Sequence, residues 1–243
     1  MLQLLRTRRW IGFTCLVLFV IIAFGLLSRW QWSRAETKRE ERIALATAAQ
    51  VTPAPLPSIT GLSDAEEWNR FTLTGRFDDA HQVVVRKRPL NGTNGFWVMT
   101  PFTSNADTTV WVNRGWFAAQ GMATSLPQIP AAPSATQSIV GAWRFYESAS
   151  ASDLEGLPTG MIPAPAVAVL PVRADAPGYL QLISPKQEGL IAVPTPEIDE
   201  GQNISYAVQW LLFALVAIVG WFIFLRREAI DDARRAAAPT QQS

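Results

Sequence analysis

The chain has 243 residues, with 21 Lys and Arg against 20 Asp and Glu. This balance excludes the basic footprint of a nucleic-acid binder. Charged residues are only 17% and hydrophobic ones 49%, whereas a soluble domain is about a quarter charged, so part of the chain belongs in lipid. One cysteine, Cys15, and one histidine, His81, exclude an internal disulfide, a cysteine-built zinc site and any site needing two imidazoles of one chain.

Residues 1–9 form a basic N-terminal end carrying Arg6, Arg8 and Arg9. Residues 10–28 then contain no charge, and twelve of the nineteen are Leu, Ile, Val or Phe. Twelve such side chains favour insertion by roughly 4–7 kcal/mol, so this segment is expected to be a first transmembrane helix. The run is longer than the h-region of a signal peptide, and no small-x-small cleavage site follows it. Residues 29–52 lack Gly and Pro and read as a helical extension beyond the span. In it Trp30, Arg34, Lys38 and Arg42 recur every four residues and are expected to share a face. Two readings stand open for that face: an interfacial Trp anchor with a solvated basic stripe, or a surface that docks on another membrane protein.

Pro53, Pro55 and Pro57 end the extension. Residues 53–203 read as a β-domain. Runs rich in Val, Thr, Phe and Trp at 68–77, 82–88, 95–102 and 108–116 alternate with turn material such as Asn91 and Gly92. Further strands are expected near 137–145 and 178–183, giving a mainly antiparallel small barrel or sandwich. The Pro/Ala-rich stretches 127–134 and 148–177 read as extended loops, ordered by a partner or mobile. Residues 204–225 form the second expected span, and 226–243 a basic tail with Arg226, Arg227, Arg234 and Arg235. The positive-inside bias places both termini in the cytoplasm and the β-domain outside it. The expected fold class is therefore membrane α+β, two transmembrane helices flanking an extracytoplasmic β-domain.

Little in the chain points to catalysis, because no phosphate-binding glycine loop, nucleophile elbow or zinc-protease motif occurs. His81 is expected in an exposed turn. Arg86, Lys87 and Arg88 fit either a solvated strand end or an anion contact. Arg114 continues the face of Val110 and Val112 and must find a carboxylate, carbonyl or ligand; an internal ion pair is the first expectation.

Four blocks in order give the chain a family likeness. Trp30 and Gln31 with Arg34 and Lys38 follow the first span as W-Q-x-x-R-x-x-x-K; Gly75, Arg76, Phe77 and Asp78 come next. Gly95, Phe96 and Pro101 then lead to Val112, Asn113, Arg114, Gly115 and Trp116; Tyr206, Ala207 and Trp210 open the second span. The set resembles the surfeit-locus-one family of cytochrome c oxidase assembly factors. The resemblance implies a non-enzymatic accessory of the haem–copper oxidase in a bacterial cell membrane. Its partners would be oxidase subunits or assembly intermediates, and membrane lipid. Partner contact falls to Trp30, Gln31, Arg34, Lys38, Tyr206, Gln209 and Trp210. Gly75, Gly95, Phe96, Pro101, Asn113, Arg114, Gly115 and Trp116 would be structural. The alternatives are a resident component of a respiratory supercomplex and a haem a-handling protein. Haem a handling is disfavoured, because the position where some members carry a haem-linked histidine is Asn203, and no cofactor is expected.

Overall fold

The computed structural model describes residues 5–57, 62, 66–119 and 126–237. It divides into a helical unit, Met1–Ala44 with Glu197–Ser243, and a β-rich unit, Leu45–Pro196. In chain order, two long apolar helices flank the β-rich unit, so the α+β class holds.

Helix α1 runs Arg8–Gln50 and α2 runs Gly201–Ala237. Both are long and apolar enough to cross a membrane. The 43 residues of α1 extend about 65 Å, against a hydrocarbon thickness of about 30 Å. Propensity sustains such a length: α1 lacks Pro, and its last residue stands three before Pro53. The amide of Gly201 donates to Asp199 Oδ1 at 2.8 Å, which caps the start of α2.

The less exposed positions of α1 include Trp10, Thr14, Val17, Ile21, Phe24, Ser28, Gln31, Ala35 and Lys38, at steps of four and three. This is a heptad seam. Asn203, Ala207, Trp210, Ala214, Ala217 and Trp221 form the matching seam of α2. The pairing is antiparallel. Trp221 Nε1 donates to Thr14 Oγ1 (3.1 Å), Phe24 stacks on Trp210 (5.4 Å between centroids), and Ser28 Oγ donates to the Ala207 carbonyl (2.9 Å). Asn203 Nδ2 donates to Gln31 Oε1 (2.8 Å), Lys38 Nζ to the Asp199 carbonyl (3.2 Å), and Arg42 pairs with Glu200 (2.8 Å). Hydrogen bonding to Arg42 holds the Glu200 carboxyl below its usual range.

In the β-rich unit the strands are β1 (Ala54–Pro55), β2 (Arg70–Phe77), β3 (Val83–Val85), β4 (Gly95–Ser104), β5 (Thr109–Ala118), β6 (Gln137–Phe145), β7 (Met161–Ile162) and β8 (Gly178–Ser184). Strand β2 pairs antiparallel with both β6 and β4, β6 with β8, and β4 with β5, while β5 and β8 run parallel. These five pairings close a five-stranded barrel with the Greek-key order of an OB-type fold. Alternate residues of all five strands, among them Phe71, Phe102, Val112, Trp143 and Leu180, fill its interior.

Gly75 joins the two halves of the sheet, facing Gln137 of β6 and Ser104 of β4 in register. A Cβ there would lie 2.1 Å from the Thr103 carbonyl oxygen, so only glycine lets the strands meet. Pro101 is tolerated in mid-sheet for a local reason. On that side β4 pairs with β3 through Met99 and with β2 from Phe102, so the missing amide falls between two neighbours.

The 148–177 stretch is mostly loop, as expected, with one short 3-10 turn at Ala151–Leu154 and the two-residue β7. It crosses the outside of the barrel and packs against it: Ile162, Ala166 and Val169 join Val83, Val85, Met99, Trp111 and Tyr179 in a second core. Strand β7 adds parallel to β3. The apolar residues between the prolines order the stretch on its own domain, without a partner.

This outer layer encloses two phenols. Burial pushes the Tyr179 hydroxyl up to about 12 and raises that of Tyr146 further. Both folded values lie above the ordinary tyrosine value of about 10. Their contribution to stability is complete below that pH and declines as pH rises through the folded values. Alkaline titration should therefore show these two phenolates, read by near-ultraviolet absorbance, only as the barrel unfolds; full ionisation with the tertiary spectrum intact would contradict this.

Candidate interaction surface

The structure splits the residues of the first block. Trp30 is 56% exposed and Arg34 is exposed, whereas Gln31 and Lys38 turn toward α2 and are bonded there. A four-residue step overshoots a 3.6-residue turn by about 40°. The row Trp30, Arg34, Lys38, Arg42 therefore winds around α1 from open surface to helix seam. It is not one stripe.

The second-span residues divide similarly. Trp210 lies in the seam against Phe24 and Phe213. Tyr206 is 43% exposed and Gln209 is exposed. With Gln202, Phe213, Val216 and Gly220 they form another row at steps of four and three, beside the seam. Among the described residues the row is uncovered except at Phe213, whose ring lies 5.8 Å from that of Phe24 between centroids, and no side-chain hydrogen bond of Gln209 is present. A Cβ at Gly220 would meet nothing within 4 Å, so the row contains a notch. The spacing was readable in the sequence, but only the position of the α1 seam shows that this row is the vacant one.

The Val112–Trp116 motif serves a different purpose. The β4–β5 register shifts between Val98, facing Gly115, and Met99, facing Asn113. Arg114 is the extra residue of a bulge, and bulges re-aim side chains. It is 2% exposed. Nη2 donates to the Ala131 carbonyl at 2.7 Å, and Nη1 to Pro130 O and Gln82 Oε1, both at 3.1 Å; Nε reaches Gln187 Oε1 at 3.4 Å. The guanidinium also lies 5.6 Å from the Phe77 ring centroid. The expected ion pair is therefore corrected: neutral carbonyls, supplied by segments distant in sequence, hold the charge. Burial lowers its pKa to about 10, with the Asp79 carboxylate opposing the shift.

Asn113 Oδ1 accepts from the Gly115 amide at 3.2 Å. A Cβ on Gly115 would lie 2.8 Å from the Ile191 carbonyl oxygen. Trp116 exchanges backbone bonds with Ile191, lays its indole over Gly95 and donates Nε1 to the Arg88 carbonyl at 2.6 Å. Phe96 is buried and contacts Phe117 at 5.6 Å. These residues assemble the barrel wall.

Arg88 is engaged within the fold. Its guanidinium lies 4.2 Å from the Trp97 ring centroid and 2.7 Å from Glu147. His81 occupies an exposed turn, Nδ1 2.6 Å from Asp78 Oδ2. The residues at 203 and 31 do not fit haem a: the carboxamide of Asn203 offers no imidazole and is committed to Gln31.

The sequence profile of the SURF1 family matches residues 18–215. The chain belongs to the SURF1 family. A SURF1-like protein of Mycobacterium tuberculosis is 30% identical over 94% of this chain and 88% of its own length. The cytochrome oxidase assembly protein SHY1 of Saccharomyces cerevisiae is 31% identical over 42% of this chain and 27% of its own. A SURF1-like protein of Dictyostelium discoideum is 27% identical over 44% and 43%. The SURF1 match starts within α1 and ends within α2, so it takes in part of each helix and the whole barrel.

Proposed function

We propose that this chain is a non-enzymatic accessory of cytochrome c oxidase assembly, anchored in a bacterial cell membrane with both termini cytoplasmic. The vacant row on α2 receives a transmembrane helix of an oxidase subunit or assembly intermediate, and Trp30 and Arg34 add contact where α1 leaves the bilayer. The observation that carries the reading is Gln209. A carboxamide turned outward on an apolar helix costs free energy in hydrocarbon unless a protein group pairs with it. Family membership and the name of the yeast relative supply the oxidase.

Affinity purification of the tagged chain from a mild-detergent extract should recover oxidase subunits. Gln209→Leu should lower the recovery about threefold to tenfold, the range of one interhelical hydrogen bond. Recovery of no oxidase subunit would refute the assignment, and undiminished recovery with Gln209→Leu would move the contact off α2.

A further inference from the structure

The helical unit has a crevice of about 360 Å³ at the end opposite the Gln31–Asn203 pair, lined by Arg9, Trp10, Phe13, Phe224 and Glu228. Three rings form its walls. Trp10 meets Phe13 edge-on at 5.6 Å, and Phe13 meets Phe224 edge-on at 6.3 Å. The Trp221–Thr14 hydrogen bond joins the two helices about one turn further along the span. The mouth of the crevice carries one charge of each sign, with Arg9 Nη1 3.7 Å from Glu228 Oε1. That separation is too long for a hydrogen bond. The Arg9 side chain is 84% exposed, and an ion pair so open holds together weakly.

Depth identifies the occupant. In α1 the charges stop at Arg9 and the uncharged run begins at Trp10; in α2 the run stops at Leu225 before Arg226 and Arg227. The crevice therefore opens where hydrocarbon gives way to headgroups, a statement that rests on reading both helices as spans.

We infer that this crevice is a binding site for a zwitterionic phospholipid with a primary amine, phosphatidylethanolamine in chemical class. The phosphate lies against Arg9, the ammonium donates to the Glu228 carboxylate, and an acyl chain fills the space between Trp10, Phe13 and Phe224. The carboxylate acceptor selects a headgroup with N–H donors over choline, which has none. It also repels an anionic glycerol headgroup that the neighbouring arginines alone would attract.

The test is native mass spectrometry of the full chain, purified in mild detergent. The probe is an equimolar mixture of phosphatidylethanolamine, phosphatidylcholine and phosphatidylglycerol with matched acyl chains. Phosphatidylethanolamine should be retained about tenfold over the other two, the worth of one charge-assisted hydrogen bond. Glu228→Gln should abolish that preference, and Arg9→Gln should weaken retention of all three. Equal retention, preference for phosphatidylglycerol, or a preference unchanged by Glu228→Gln would overturn the site. Helical content by circular dichroism shows that each variant is folded. Alkaline carbonate extraction separates the two failures: release of the chain from membranes refutes the spans, whereas a firmly inserted chain without lipid preference refutes only the crevice.

Discussion

Arg114→Leu is expected to destabilise the β-rich unit by roughly 3–5 kcal/mol. Replacing a buried ion pair by apolar side chains is often harmless, because both charges leave together. Here the partners cannot leave. The carbonyls of Pro130 and Ala131 belong to the backbone, and Gln82 and Gln187 come from segments before and after Arg114 in the chain. Leucine leaves all four acceptors facing a hydrocarbon surface. Arg114→Lys keeps the charge but has one nitrogen where the fork has three, so it should recover part of the loss. Denaturant titration of the detergent-solubilised chain, followed through the emission of Trp111, Trp116 and Trp143, measures both. A loss under about 1 kcal/mol for leucine would show that the carbonyls find other donors.

The second large effect is expected at Gly75. Gly75→Ala places a methyl 2.1 Å from the Thr103 carbonyl oxygen and 2.8 Å from Ser104 Cα. Both obstacles are backbone atoms of the neighbouring strand, so no rotamer relieves the clash. Strand β2 must withdraw from β4 over Gly75, Arg76 and Phe77, the three paired residues that close the barrel. Overpacking of this kind costs about 3 kcal/mol. Opening should also expose Phe77, which contacts Phe102 at 4.8 Å between centroids. Hydrogen exchange at the amides of β2 and β4 reports the opening directly. Gly12→Ala, where a Cβ would meet nothing within 4 Å, is the control and should be neutral. Unchanged exchange in the Gly75 variant would mean that the closing pairs contribute little.

Strand positions were legible in the sequence because Val, Thr, Phe and Trp runs and turn residues are local signals. The expected strands at 68–77 and 95–102 appear as Arg70–Phe77 and Gly95–Ser104. Closure was not legible, since it depends on one residue pairing with two strands far apart in the chain. Simple alternation placed Arg114 beside Val110 and Val112, but a bulge intervenes, and bulges follow from register between strands. The Pro-rich stretch was legible as loop, but its packing was not, because its apolar residues have no period; they fit a curved barrel surface, which imposes none. The division among Trp30, Gln31, Arg34 and Lys38 depends on where α2 lies. Sequence supplied these residues, and the second helix assigned their directions.

Two hydrogen bonds within the spans, and a third just beyond their outer end, have a mechanical consequence. Helices joined by aliphatic side chains alone can slip past one another by a turn, about 5.4 Å, because lipid tails replace such contacts at little loss. Thr14, Ser28 and Gln31 meet their acceptors and donors at unequal intervals along α1. A slip breaks the Trp221–Thr14 and Ser28–Ala207 bonds in oil and the Gln31–Asn203 bond at the membrane edge together. The hairpin therefore behaves as a latched ruler, and whatever docks against it meets the same order of side chains at the same heights in every molecule.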